Sequence, residues 1–228
     1  YFSHITTTTG LILPVKEICA AARERGILTA IDGAHAPGMI PLDVAALGAD
    51  FYTGNCHKWL CAPKGTGFLW ARKGAQDMLD PLIVGWGWDK ESDTFLGNFE
   101  NPGTHSSGLP VAVGDAVAFQ EAIGKETIAA RGRELTAYGR GALEGISGTR
   151  SLTPSVPGMS NSLTAYALPL GDHEKLKREL EKRNIIIPNG PREDDTWLRL
   201  STHVYNTREE IDLLVQALGA AYAVRRRM

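Results

Sequence analysis

Apolar positions in the first third of the chain follow two periods, one typical of strands and one typical of helices. Residues 1–6 and 27–31 are short apolar or β-branched runs, and the second is typical of a strand buried on both faces of a parallel sheet. Between them, apolar side chains recur at i, i+3, i+4 and i+7 from Val15 to Ala22, which predicts a helix that ends at Gly26. Strand, helix and strand with short connections form a βαβ unit.

The remaining pattern predicts an α/β first half and a small α+β second half. The first pattern continues with a short helix at 41–47, strands at 50–53 and 66–71, and an alanine-rich helix from 109 to about 131 that resumes through 143. The second pattern is a strand at 162–170, a helix at 172–183, strands at 185–187 and 196–201, and a last helix that begins at the Thr207–Glu210 capping box. We therefore expect a large domain with a mainly parallel sheet over residues 1–130 and a small α+β domain over residues 131–228.

Composition narrows the function classes. The 228 residues carry a net charge of −2, which does not favour nucleic-acid binding, and no apolar run reaches the roughly 18–20 residues that cross a bilayer. The three cysteines, Cys19, Cys56 and Cys61, show no pairing pattern, which indicates a reducing compartment and predicts a cytoplasmic protein. Cys56 and Cys61 have no second pair at finger-like spacing, so we expect no metal site.

Chemically active residue types follow two of the predicted strands. Asp32 ends the strand at 27–31, His35 comes one turn later, and residues 55–59 read Asn-Cys-His-Lys-Trp after the next strand. The carboxyl ends of parallel strands share one sheet edge, where open α/β sheets bind their ligands. Taken singly, Asp32 is typical of a turn and Lys58 of an exposed amine, so only their convergence indicates a site.

These segments resemble, in order, the pyridoxal-phosphate signature of class V aminotransferase-fold enzymes, and most closely the isopenicillin N epimerase-like branch. The matching segments are 31–38 (IDGAHAPG), 49–52 (ADFY), 57–59 (HKW), 63–65 (PKG), 67–69 (GFL), 101–104 (NPGT) and 198–207, with the opening residues 3–14 upstream. The resemblance implies fold type I and pyridoxal 5'-phosphate as cofactor.

The same resemblance assigns roles to single residues. It makes Lys58 the residue that forms a Schiff base with the cofactor and removes the substrate α-proton, and Asp32 the carboxylate that faces the pyridine nitrogen. It places His35 beside the phenolic oxygen and Asn55 and His57 at the phosphate, with stacking of the His57 ring on the cofactor as the alternative.

Two further residues extend the implied site. Thr104 matches a residue that reaches the phosphate in the neighbouring subunit, so a homodimer with composite active sites is implied. Arg199 matches a strand position suited to gripping a substrate α-carboxylate, because a guanidinium fork matches a carboxylate.

The reaction itself stays open at this stage. An amino-acid-type substrate and an epimerase-like outcome are expected, with an aminotransferase, a β-lyase or a non-catalytic remnant as alternatives. Cysteine desulfurases of the same fold need a mobile cysteine well downstream of the lysine, and none follows Cys61. The chain opens inside a strand and lacks the amino-terminal region of the family, so we expect it to be part of a longer enzyme.

Overall fold

The computed structural model describes residues 1–85, 88, 94–100, 103–169, 172–193 and 195–225, and the side chains among them up to residue 221. These residues form two compact units. Unit 1 comprises Tyr1–His4, Pro14–Pro37 and Leu42–Phe119, and unit 2 comprises Ile5–Leu13, Gly38–Pro41 and Gln120–Met228. Each unit collects separate stretches of the chain, and the assignment of domains to residues 1–130 and 131–228 stays a prediction.

Unit 1 is built on a four-stranded sheet. Its strands and first helix are β1 (Phe2–Ser3), α1 (Val15–Arg23), β2 (Ala30–Asp32), β3 (Phe51–Asn55) and β4 (Gly67–Ala71). The strand order is β1-β2-β3-β4, with β1 and β3 parallel to β2 and β4 antiparallel to β3. The βαβ unit and the mainly parallel sheet expected from the sequence are therefore confirmed.

Strand β2 is shorter than the apolar run that predicted it. Ile27 and Leu28 lie outside the strand and are 56% and 52% exposed, so the expectation of burial on both faces was wrong for them. The Thr29 amide donates to the Asp50 carboxylate at 2.9 Å, so a side chain satisfies this donor just before β2 begins. The predicted helix at 41–47 is reduced to a single 3₁₀ turn over Ala45–Leu47.

The break in the alanine-rich helical stretch, predicted near residue 131, lies at residue 124 instead. A short helix α2 (Phe95–Phe99) precedes α3 (Gly108–Ile123), and α4 (Lys125–Glu144) follows. The break is Gly124, whose φ of 93° lies in the left-handed region that glycine adopts without a steric penalty. Ala116 of α3 packs on Cys56 and Ala62, which lie in the segment after β3.

Unit 2 is a second, antiparallel sheet with helices. After α4 come β5 (Arg150–Ser151), β6 (Leu163–Leu168), α5 (His173–Glu181), β7 (Asn189–Arg192), β8 (Asp195–Ser201) and α6 (Arg208–Arg225), and the strand order is β5-β6-β8-β7. Every residue of β6 is buried, and Tyr166 and Leu168 of this strand belong to the hydrophobic core with α5 and α6. The capping box is confirmed, since Glu210 N donates to Thr207 Oγ1 and Thr207 N donates to Glu210 Oε2.

The strand predicted at 185–187 was wrong. Ile185 N donates to the carbonyl oxygen of Leu180 and so closes the end of α5, with Asn184 at a φ of 57°. Ile186 is 93% exposed, and the edge strand β7 begins only at Asn189. Within the part of the chain that the structure describes, no helix is both long and apolar enough to cross a membrane.

Candidate active site

Strands β2 and β3 bring the first two candidate residues to one sheet edge. The strands are parallel and Asp32 is in register with Thr53, so the strand ends at Asp32 and Asn55 lie on the same side of the sheet. Asp32 Oδ1 accepts the Ala34 amide at 2.9 Å, which is the local turn that an aspartate at this position favours. The turn uses one oxygen and leaves the other for a different partner.

Asp32 also sets the electrostatics of this edge. Its Oδ2 accepts the Tyr1 hydroxyl at 3.2 Å, and the negative charge of Asp32 raises the pKa of Tyr1. Burial, and then the same charge, raise the pKa of Tyr52, whose ring lies behind Gly33. A fixed negative charge at this point favours a positively charged ligand atom.

Lys58 lies beside a buried histidine. Its Nζ is 3.5 Å from Nε2 of His35, and the other ring nitrogen of His35 accepts the indole N–H of Trp59 at 3.0 Å. His35 and Trp59 are 6% and 8% exposed, whereas Lys58 is half-buried. The structure thus brings together the amine and the imidazole that the sequence predicted as neighbours.

His57 is held by a backbone carbonyl just before strand β4. Its Nδ1 lies 2.9 Å from the carbonyl oxygen of Thr66, which precedes β4, so Nδ1 carries a proton and donates it. Nε2, on another edge of the ring, is then the nitrogen that can contact a ligand. Asn55 is half-buried at the last position of β3, in register with Gly67.

Backbone hydrogen bonds hold the segment 56–66 together at its two ends and within it. Cys56 N donates to Thr66 O and Ala62 N donates to Cys56 O, so both ends of the segment are tied together. Cys61 adopts a φ of 65°, a conformation that few non-glycine residues take, and Cys61 N donates to Lys58 O. This bonding fixes the backbone from which Lys58 extends.

Thr104 is exposed and belongs to unit 1. It follows Gly103, which has a φ of 107° and precedes α3. Asn101 and Pro102, the first two residues of the matching segment, lie outside the described residues. Exposure is compatible with a contact to another subunit, but the described chain brings no other candidate residue to Thr104.

Arg199 belongs to unit 2, on β8 opposite Ala165 of β6. Its Nη1 donates to the carbonyl oxygen of Thr7 at 2.8 Å, and burial lowers its pKa. Its Nε is buried and has no hydrogen-bond partner among the described residues. Arg199 also lines a cavity of about 410 Å³ within unit 2. An arginine with an unsatisfied buried donor retains capacity for an anionic ligand.

Sequence reasoning missed the contacts that hold the candidate residues. Trp59 was noted only as the neighbour of Lys58, although its indole N–H fixes His35, and Thr66 was not singled out although it fixes His57. A tryptophan beside a buried histidine carries no periodic signal, so only the folded geometry reveals these hydrogen bonds.

Comparison with known proteins places the chain in a family. It matches the family described as aminotransferase class-V over residues 1–214. It is 41% identical to isopenicillin N epimerase of Amycolatopsis lactamdurans over 232 residues, which are 96% of this chain and 58% of that protein. It is 32% identical to a probable cysteine desulfurase of Xylella fastidiosa (strain 9a5c), over 95% of this chain and 55% of that protein.

A solved structure shows the same fold. It is a mutant of C-DES with glycine covalently linked to the PLP cofactor, and it aligns with a TM-score of 0.80 at 25% identity over 95% of this chain and 58% of that chain. The chain thus spans somewhat more than half the length of these relatives. The resemblance and fold type I are confirmed: the chain belongs to the class V aminotransferase family, whose cofactor is pyridoxal 5'-phosphate.

Proposed function

We propose that this chain supplies the lysine side of a pyridoxal-phosphate site, in which Lys58 binds the cofactor and moves the α-proton of an amino-acid substrate. The observation that carries the proposal is the placement of Lys58 Nζ 3.5 Å from His35 Nε2, in the segment after β3. When bound, pyridoxal phosphate supplies an aldehyde that condenses with amines and an electron-poor ring that stabilises negative charge at the substrate α-carbon.

The chemistry of the side chains at this edge fits that cofactor. The negative charge of the Asp32 carboxylate contributes to the raised pKa of Tyr1 and of Tyr52. Such a charge favours a protonated pyridine nitrogen. The amide of Asn55 can donate to a phosphate, and Nε2 of His57 can do so when it too carries a proton. Because Nδ1 of His57 donates to a carbonyl, a second proton on Nε2 creates no conflict within the ring's contacts.

The amine of Lys58 is proposed both to bind the cofactor and to move the substrate α-proton. Its backbone is held by the hydrogen bonds of the segment 56–66, so the side chain alone has to move between cofactor and substrate. An amine must be uncharged to accept a proton from a substrate carbon. The neighbouring His35 bears directly on that charge state.

Arg199 and Thr104 extend the proposal to the substrate and to a partner subunit. A guanidinium with a buried, unsatisfied Nε suits the α-carboxylate of an amino acid. Thr104, exposed after Gly103, is proposed to contact the phosphate bound by a second copy of the chain, so the assembly is proposed to be a homodimer.

Epimerisation is the outcome best supported. The 41% identity to an isopenicillin N epimerase exceeds the 32% identity to a cysteine desulfurase, and the sequence has no cysteine after Cys61 to act in desulfuration. In epimerisation, Lys58 removes the α-proton and a proton returns to the opposite face. Transamination and β-elimination start with the same proton removal and differ in their products.

The test is to reduce the chain with borohydride after adding pyridoxal phosphate and to map the modified peptide. We expect a pyridoxyl adduct on Lys58, loss of the adduct in Lys58→Ala, and retention of it in Lys64→Ala, which removes another lysine of the same segment. An adduct confined to Lys64 or to unit 2 would overturn the proposal.

The products then identify the reaction. Incubation with isopenicillin N in deuterium oxide should give an inverted product that carries deuterium at the α-carbon. A keto acid with aminated cofactor would indicate an aminotransferase, and a released β-substituent with ammonia would indicate a lyase.

A further inference from the structure

The hydrogen bond between Trp59 and His35 fixes where the proton of His35 resides. An indole N–H is a donor and has no lone pair to accept with, so Nδ1 of His35, 3.0 Å from Trp59 Nε1, must be the acceptor. A nitrogen that accepts carries no proton. The neutral His35 ring therefore has its proton on Nε2.

The same contact disfavours the imidazolium form. A proton on Nδ1 would point at the indole N–H, and two donors would face each other between side chains that are both more than nine-tenths buried. Water has little access to such a buried pair. His35 is thus restricted to one neutral tautomer.

The fixed Nε2–H is directed toward the lysine. Nε2 and Lys58 Nζ lie 3.5 Å apart, the outer limit for a hydrogen bond, and contacts of this kind shorten when a ligand binds. An ammonium group has three donors and no lone pair, whereas the uncharged amine has a lone pair. The Nε2–H of His35 therefore matches the uncharged amine and opposes the ammonium.

His57, next to Lys58 in sequence, shows the opposite arrangement. Its Nδ1 donates to the carbonyl oxygen of Thr66, so the neutral ring carries its proton on Nδ1. One histidine is held by a donor and the other by an acceptor. His35 and His57 thus have different preferred tautomers, with the proton on Nε2 in His35 and on Nδ1 in His57.

We propose that Trp59 is a positioning residue that holds His35 as the Nε2–H tautomer and thereby favours the uncharged amine of Lys58. The proposal deepens the proposed function and rests on it in one respect, that Lys58 is the base. Trp59 acts on Lys58 through its hydrogen bond to His35.

Tautomers are measured directly by two-bond ¹⁵N–¹H correlation spectra of the chain labelled with ¹⁵N-histidine, at pH 7.5 and without cofactor. We expect His35 to carry its proton on Nε2 and His57 on Nδ1, two opposite patterns in one spectrum. Signals are assigned with His35→Gln and His57→Gln.

Two replacements of Trp59 test the cause. Trp59→Phe removes the N–H and part of the ring, and a benzothienylalanine at position 59 keeps the shape of the indole while replacing N–H by sulfur. Both should release His35 into a mixture of tautomers. Trp70→Phe, on β4 of the same unit, is the matched control and should leave the His35 pattern unchanged.

The consequence for Lys58 is measured by its rate of carbamylation with cyanate, since only the uncharged amine reacts. We expect the rate to fall by about three- to tenfold in both Trp59 variants, the effect of one ordinary hydrogen bond. Lys64 serves as internal reference in the same digest.

A proton on Nδ1 of His35 in the unaltered chain would overturn the proposal, as would an unchanged His35 pattern in the benzothienylalanine variant. An unchanged carbamylation rate at Lys58 would overturn its second half. These readouts use no cofactor, so they fail independently of the pyridoxyl adduct that tests the proposed function.

Discussion

His57 Nδ1 donates to the carbonyl oxygen of Thr66 at 2.9 Å. This bond fixes the ring and leaves its second nitrogen, Nε2, on another edge of the ring. Nε2 is thus left for a ligand, which supports the proposal that His57 contacts the phosphate rather than the cofactor ring. A charge-assisted hydrogen bond of this kind contributes about 1.5–3 kcal/mol.

We therefore expect His57→Ala to raise the Kd for pyridoxal phosphate by about 10- to 100-fold, the equivalent of that bond. The measurement is an absorbance titration of the chain. Pyridoxal, which lacks the phosphate, is the control ligand, and its Kd should be the same in both proteins. Equal weakening of both ligands would show that His57 contacts the ring instead.

Asp50 is expected to make the stability of unit 1 depend on pH. Burial alone would raise the pKa of Asp50, but the Thr29 amide and the Arg72 guanidinium, 2.7 Å from Oδ1, outweigh it and hold the pKa below its usual range. A depressed pKa stabilises the fold fully above the unfolded-state value of about 3.9, and this contribution is lost as the pH falls through the folded-state value.

Asp50→Asn removes that dependence. We expect it to lower the free energy of unfolding at pH 7 by about 1–3 kcal/mol, with a smaller difference from the parent chain at pH 3. Urea unfolding at the two pH values measures this. Asp43→Asn is the control, since Asp43 is exposed and caps a turn through the Ala46 amide. A difference that stays constant between the two pH values would contradict the assignment.

Gly33 is expected to tolerate no side chain. A methyl group on Gly33 would overlap the ring of Tyr52, which is fully buried and whose hydroxyl lies 2.8 Å from His4 Nδ1. We expect Gly33→Ala to destabilise the chain by about 1–3 kcal/mol, as overpacking in a close-packed core does.

Gly114→Ala is the matched change. It lies within α3 with open space around the added methyl group, so the higher helix propensity of alanine should stabilise the chain by up to about 1 kcal/mol. Thermal unfolding of both variants decides the question, and a loss of stability of the same size in both would refute the packing argument.

Arg199 is expected to discriminate between a carboxylate and an amide. With pyridoxal phosphate present, Arg199→Gln should raise the Kd of an α-amino acid by about 10- to 100-fold, the value of a charged hydrogen bond, and leave that of its α-carboxamide nearly unchanged. Arg192→Gln, on the neighbouring strand β7, is the control. If both arginine variants behave alike, Arg199 has no special contact with the carboxylate.

The sequence predicts elements that bury a periodic apolar face. It fails where an apolar run forms a helix end or a loop. The face of α1 was correctly predicted because its apolar side chains repeat every three to four residues, and Val15 and Cys19 are buried. Residues 185–187 look like a strand by composition, yet the amide of Ile185 closes a helix end, a role that hydrogen bonding decides and composition does not.

The candidate site likewise has features that the sequence predicts and features that it does not. The placement of Asp32 and Asn55 at one sheet edge follows from chain order and a parallel sheet, so sequence reasoning reaches it, whereas the approach of Lys58 to Asp32 stays a prediction. The tautomer of His35 and the orientation of His57 depend on single contacts with Trp59 and Thr66, and no pattern along the chain encodes a single contact.

The antiparallel pairing of β3 with β4 gives the segment 56–66 the form of a cassette. Its two ends are held one strand spacing apart, roughly 4.8 Å, by a register that pairs Tyr52 with Trp70 and does not involve the segment itself. Its less buried positions can therefore be exchanged without shifting the sheet, whereas Cys56 and Ala62 pack on α3 and Trp59 holds His35. For a designer, new reactivity at this edge is a problem of the remaining positions in one short stretch of chain, amenable to a single degenerate oligonucleotide library on an unaltered scaffold.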